Sequence, residues 1–141
     1  MSRPQLETAS SFLVFAVIAG ILVAVLLPAD SLGGNEGRLR SISERESWVI
    51  HAAMFTALSG AVGLRLAAAD PSRLSANWLL PAIAMIVAFA TVSEFAQVQV
   101  DGRNAGVGDW VADLIGTAIG LTIAGTIGPP VLDWLTVDAR R

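Results

Sequence analysis

The charged residues of this chain fall between four long apolar blocks rather than within them. Residues 8–29, 47–64, 74–93 and 114–132 hold no Asp, Glu, Lys or Arg, over 22, 18, 20 and 19 residues. An α-helix rises about 1.5 Å per residue, so even 18 residues reach roughly 27 Å, close to the apolar thickness of a bilayer. A helix of that length in water would carry charge on its outer face every few residues. The pattern therefore predicts an all-α protein: a four-helix transmembrane bundle in antiparallel up-down order.

Polar punctuation sets the expected limits. The first span covers 10–27 and is closed by Pro28. A signal peptide would need a small residue two positions before its cleavage site. Leu27 stands two before Ala29, and Phe12–Leu27 is long for such a core, so a retained span is the reading. The connection 28–46 contains Gly33-Gly34 and Gly37 as turn signals. It ends in Ser43 and Glu46, the Ser-x-x-Glu of a capping box. The second span covers 47–69 and stops at Asp70-Pro71; the third covers 77–98, with Pro81 tolerated in its first turns. Gly102, Gly106 and Gly108 mark turns in the loop 101–108, after which Asp109 is placed to cap the fourth span, 109–127. Gly128-Pro129-Pro130 is expected to stop that span, leaving 131–141 as a short interfacial tail. The whole chain, 1–141, reads as a single integral membrane domain.

Composition removes other classes. Charged residues make up 15% of the chain, against about 25% in soluble domains. Cysteine is absent, which excludes a disulfide framework and thiolate metal sites. A net charge of −3 with no basic patch argues against nucleic acid as a partner. All nine positive side chains are Arg, a bias of composition rather than of function. Trp48, Trp78, Trp110 and Trp134 each fall at an expected membrane boundary, where an apolar ring with one polar N–H is favoured. Arg3, Arg65, Arg73, Arg140 and Arg141 lie on one side of this map, and Arg38, Arg40, Arg45 and Arg103 on the other. Five against four leans toward cytoplasmic N- and C-termini in a cell membrane.

The remaining polar residues gather at one face. His51 opens the second span, Glu94 and Gln97 close the third, Arg103 lies in the loop, and Asp109 and Asp113 open the fourth. Glu94 and Gln97 are three apart and share a helix face. Asp109, Asp113, Gly116 and Gly120 form another single face, with carboxylates outermost and a Gly-x-x-x-Gly pair deeper, where a neighbouring helix can approach closely. Turning that stripe inward removes Asp113 from lipid, where a carboxylate costs about 2.5–3.5 kcal/mol, and offers it Arg103 or His51 as a partner.

The ordered set His51-A-A-M-F, Glu94-F-A-Gln97, then Arg103-N-A-G-V-G-Asp109-W-V-A-Asp113-L-I-Gly116-T-A-I-Gly120 resembles the VanZ-like membrane proteins. The resemblance covers about 47–120 and implies the four-helix plan for the whole chain. Two positions depart from the family pattern: Trp48 stands near where members often carry Lys, and Asp113 replaces a common Asn. The name-giving member is associated with resistance to teicoplanin, so the resemblance implies a cell-envelope setting and a polar site built from these residues.

Three readings of the six polar residues follow. They bind an amphiphile, such as a phospholipid, a lipid-linked envelope precursor or a lipophilic glycopeptide, with its headgroup at His51 and Arg103. Or they form an enzyme that works on a lipid phosphate or acyl group by general acid–base chemistry or through a divalent metal on His, Glu and Asp. Or they brace a loop against two helix ends. The expected partners are membrane lipids and a lipophilic ligand, with oligomerisation left open. No tight ligand spacing such as His-x3-His is present, so no metal or cofactor is assigned.

Overall fold

The computed structural model describes residues 1–27, 43–100 and 106–137. They form four helices: α1 (Arg3–Leu26), α2 (Glu44–Ala69), α3 (Ala76–Gln97) and α4 (Val107–Val137), with a 3-10 turn, Pro71–Leu74, between α2 and α3. Each helix is long and apolar enough to cross a membrane, with mean hydropathy of 2.7, 1.5, 1.9 and 1.6 over its best window. The chain is an all-helical, multi-pass membrane protein. Phe12, Phe15, Met85, Phe95 and Trp134 are between 69% and 74% exposed. So many large apolar side chains on the outside of spanning-length helices suit an apolar surrounding medium.

Local chemistry explains where the helices begin and end. The Ser43 N–H donates to Glu46 Oε2 at 2.9 Å, and the Glu46 N–H donates back to Ser43 Oγ at 3.3 Å. This reciprocal box opens α2. At its other end the chain turns extended at Asp70, whose Oδ1 accepts from the Ser72 N–H at 2.8 Å. That bond to the Ser72 backbone holds the Asp70 carboxyl below its ordinary range. Helix α1 starts at Arg3, seven residues before the apolar span at Ser10. Pro4 falls in its first turn, where a missing N–H costs nothing, and the Ser2 N–H is taken by Gln5 Oε1 at 2.9 Å.

Two sequence expectations are corrected in α4. Gly128-Pro129-Pro130 does not stop the helix, which runs unbroken to Val137, so 131–137 is its last stretch rather than a separate tail. The prolines leave the carbonyls of Gly125 and Thr126 without their usual donors. Gly125 has open space where a side chain would stand, which gives the backbone room to adjust. Asp109 is not the cap of α4 either: the helix begins two residues earlier, and Asp109 sits within its first turn. Its carboxylate is taken up by another helix, as described below.

Helices α2 and α4 form the most intimate pair, and they run parallel. Ser47 lies against Asp109, Ala52 against Gly116, Gly60 against Gly120, and Gly63 against Ala124. A Cβ on Gly116 would run into the Ala52 carbonyl; one on Gly120 would meet Ser59 Oγ and the Thr56 carbonyl. The closeness of the two backbones lets the Thr56 hydroxyl donate to the Gly116 carbonyl at 3.2 Å. Helix α1 packs antiparallel on α2, tied by Arg65 Nε to Ser11 Oγ at 2.8 Å and Arg65 Nη2 to Glu7 Oε2 at 3.5 Å. Helix α3 packs antiparallel on α4, with the Trp110 indole N–H on Thr91 Oγ1 at 3.2 Å. Ile21, Val25, Phe55, Leu58, Ile86 and Ala90 fill the centre.

The tryptophans divide accordingly. Trp48, Trp78 and Trp134 keep exposed rings, while Trp110 is drawn into the α3–α4 contact. Arg73 stacks over the Trp78 ring at 4.6 Å from its centroid, which leaves its charge at the helix end.

Candidate functional site

Three helices bring one side chain each to the bundle axis at a single end. His51 lies two turns into α2, Glu94 one turn before the end of α3, and Asp113 within two turns of the start of α4. His51 Nδ1 stands 2.9 Å from Asp113 Oδ1 and 3.6 Å from Glu94 Oε1. All three residues are buried, Asp113 completely so, at 0% exposed. Phe55, one turn below His51, is buried in the apolar centre and floors the cluster.

The hydrogen bonding is incomplete. Asp113 Oδ1 has the imidazole, and Glu94 Oε2 accepts the Gly106 N–H at 3.3 Å. Among the described residues, Glu94 Oε1 and Asp113 Oδ2 are buried with no hydrogen-bond partner. Buried carboxylate oxygens are normally saturated, because an unsatisfied one costs about 1–3 kcal/mol or more. Two of them around one imidazole make a pocket of negative potential inside an otherwise apolar bundle.

Asp109 lies one turn outward from Asp113. Its Oδ1 accepts from Ser47 Oγ at 2.7 Å, and Ser47 in turn lies one turn outward from His51. The pairs Ser47–Asp109 and His51–Asp113 are thus two rungs of one ladder between parallel helices. Gln97 is buried at 3% exposed, one turn beyond Glu94 on the same side of α3. Gly116 and Gly120 continue the Asp109–Asp113 stripe into the α2 contact. Arg103 lies outside the described residues. Of the two partners the sequence offers Asp113, the structure places His51 beside it.

Beside Glu94 a cleft of about 280 Å³ opens between the end of α3 and the start of α4. It is lined by Thr91, Glu94, Phe95, Val98, Gly106, Val107 and Trp110. Glu94 therefore belongs both to the sealed cluster and to an open, largely apolar groove. Of this lining the sequence marks Glu94 as a site residue; it does not single out Phe95, Val98 and Val107, since exposed Val and Phe on a spanning helix look like lipid contacts. The signal that would find Ser47 is its spacing: it stands four residues before His51, as Asp109 stands four before Asp113. Gly108, expected as a turn residue, lies inside α4 against the Trp48 indole, where a side chain would clash with the ring.

Comparison with models of protein families, with curated proteins and with solved structures finds no match to this chain.

Proposed function

We propose that this is a VanZ-like membrane protein that binds an amphiphile at the outward face of the bundle. The observation that carries the reading is the cleft between α3 and α4, whose apolar walls lead to the Glu94 carboxylate. Phe95, Val98 and Val107 are exposed and offer an acyl chain a surface, while Glu94 offers a hydrogen-bond acceptor to a headgroup. A phospholipid, a lipid-linked envelope precursor and a lipophilic glycopeptide such as teicoplanin all combine these two parts. Catalysis on a lipid phosphate or acyl group is the second reading. It is supported by the meeting of His51, Glu94 and Asp113, an imidazole with two carboxylates in reach of one another.

The amphiphile is tested by native mass spectrometry of protein extracted in mild detergent. The parent is expected to retain a lipid-sized adduct. Val107→Trp, which fills the groove from an exposed position, and Glu94→Gln, which removes the charge, are expected to lower its occupancy. An adduct pattern identical in all three proteins would sink the proposal.

Orientation is part of the same reading, because an envelope ligand needs the cluster on the outer side. The chain has no native cysteine, so single-cysteine labelling is clean. A Glu36→Cys variant is expected to react with an impermeant maleimide in intact cells, and Ser72→Cys only after permeabilisation. The reverse pattern would turn the molecule over and place the cleft in the cytoplasm.

A further inference from the structure

We propose that His51, Glu94 and Asp113 form a binding site for one divalent transition-metal ion, of the Zn²⁺ or Mn²⁺ class. One ligand atom from each residue lies within 4.8 Å of the other two. Ligand bonds to such ions are about 2.0–2.2 Å long, so donors on neighbouring coordination positions stand roughly 3–4 Å apart. The spacings of 2.9 and 3.6 Å from His51 Nδ1 to the two carboxylates are already in that range.

The second observation is independent of that spacing. Asp113 is wholly buried, and its Oδ2 has no hydrogen-bond partner among the described residues; the buried Glu94 Oε1 has none there either. Each is a buried lone pair, on a carboxylate of the cluster, that no donor among the described residues takes up. A cation held by the two carboxylates and the imidazole supplies the positive partner that they lack. Charge points the same way. As ligands, two carboxylates and a neutral imidazole sum to −2, so a divalent ion brings the loaded cluster to neutrality inside an apolar bundle.

Donor chemistry narrows the class. One imidazole nitrogen with two carboxylate oxygens is a borderline set, suited to Zn²⁺ or Mn²⁺, whereas Ca²⁺ takes six or more oxygens. The surroundings are built for orientation: the Gly106 N–H holds Glu94 Oε2, and each ligand stands on a different packed helix. A neutral imidazole that ligates through Nδ1 keeps its proton on Nε2, so the ion takes over a contact that already holds α2 to α4. The α3–α4 cleft beside Glu94 provides an entry path. The site does not depend on the amphiphile: it rests on side chains sealed behind the groove, and it is read by metal content rather than by lipid retention.

The test uses the full chain in detergent, without a polyhistidine tag, stripped with chelator and then titrated with Zn²⁺, Mn²⁺, Co²⁺ or Ca²⁺. Zn²⁺ is expected to bind at one equivalent per chain and to raise the melting temperature. Co²⁺ is expected to give visible ligand-field bands that Zn²⁺ abolishes. Asp113→Asn and Glu94→Gln keep side-chain shape. Each is expected to weaken Zn²⁺ by more than about 100-fold, the upper end of what loss of a mere outer-shell partner costs. Unchanged affinity in both variants, no bound ion in the parent, or Ca²⁺ binding as tightly as Zn²⁺ and Mn²⁺ would each overturn the site. Should one variant fail to fold, the other variant and the parental Co²⁺ spectrum still decide the question.

Discussion

Replacing Gly120 with leucine is expected to prevent the bundle from closing, while the same replacement at Gly125, five residues along the same helix, is expected to be harmless. A Cβ at position 120 would overlap the Ser59 hydroxyl, the Thr56 carbonyl and the Gly60 backbone N. Two of these three atoms are main chain and cannot rotate aside. Overpacking of a tight contact costs about 1–3 kcal/mol when side chains can shift, and the rigid backbone here places the cost at or above the upper end. Position 125 has nothing within 4 Å, and a leucine there faces the apolar exterior with better helix propensity than glycine. The measurement is the melting temperature and folded yield of both variants in the same detergent. Equal behaviour of the two would mean that α2 and α4 do not meet along this seam.

The second large effect lies in the buried pair. In chelator-treated protein, His51→Ala removes the side chain that Asp113 Oδ1 bonds among the described residues and leaves two buried carboxylates near each other. Removing one member of such a pair costs about 3–5 kcal/mol, because the remaining charge stays uncompensated. Asp113→Asn in the same chain is expected to recover much of that loss, since an amide keeps the shape without the charge. The double variant should therefore be more stable than His51→Ala alone, with a coupling of about 1–3 kcal/mol between the two positions. Strict additivity would show that the imidazole and the carboxylate act separately. The cycle is a stability measurement, so it reads the His51–Asp113 contact whatever ligand the site takes.

Much of this architecture is legible in the residues. Four uncharged blocks of 18 to 22 residues predict four spanning helices, because backbone polar groups in lipid must be satisfied within the segment. Ser43 with Glu46, and Asp70 with Pro71, mark the ends of α2, since capping and chain-breaking chemistry is local. The polar residues of one end are legible too: charge that is costly in lipid stands out against an apolar background. Helix ends governed by longer-range freedom are less so. The prolines at 129 and 130 read as a stop, yet α4 continues past them: each removes one backbone donor, and the order of residues does not show that the helix bears that loss.

Partnership is where sequence alone stops. The four helices are apolar nearly all round, so their hydropathy does not say which face turns to which neighbour. Helices next to one another in the chain must be antiparallel, yet the closest pair in the molecule is α2 with α4, which are parallel and not consecutive. The Gly116–Gly120 stripe announces a close approach; only the tertiary structure decides that Ala52, Thr56 and Gly60 receive it. That choice sets the rotation of both helices. Rotation then puts Ser47 on Asp109 and His51 on Asp113, two rungs spaced four residues apart on each side. Chemistry at the end of the bundle is thus determined in kind by the sequence, as an imidazole among carboxylates. It is determined in geometry by glycines one to two turns away, because two backbones can touch only where no side chain stands between them.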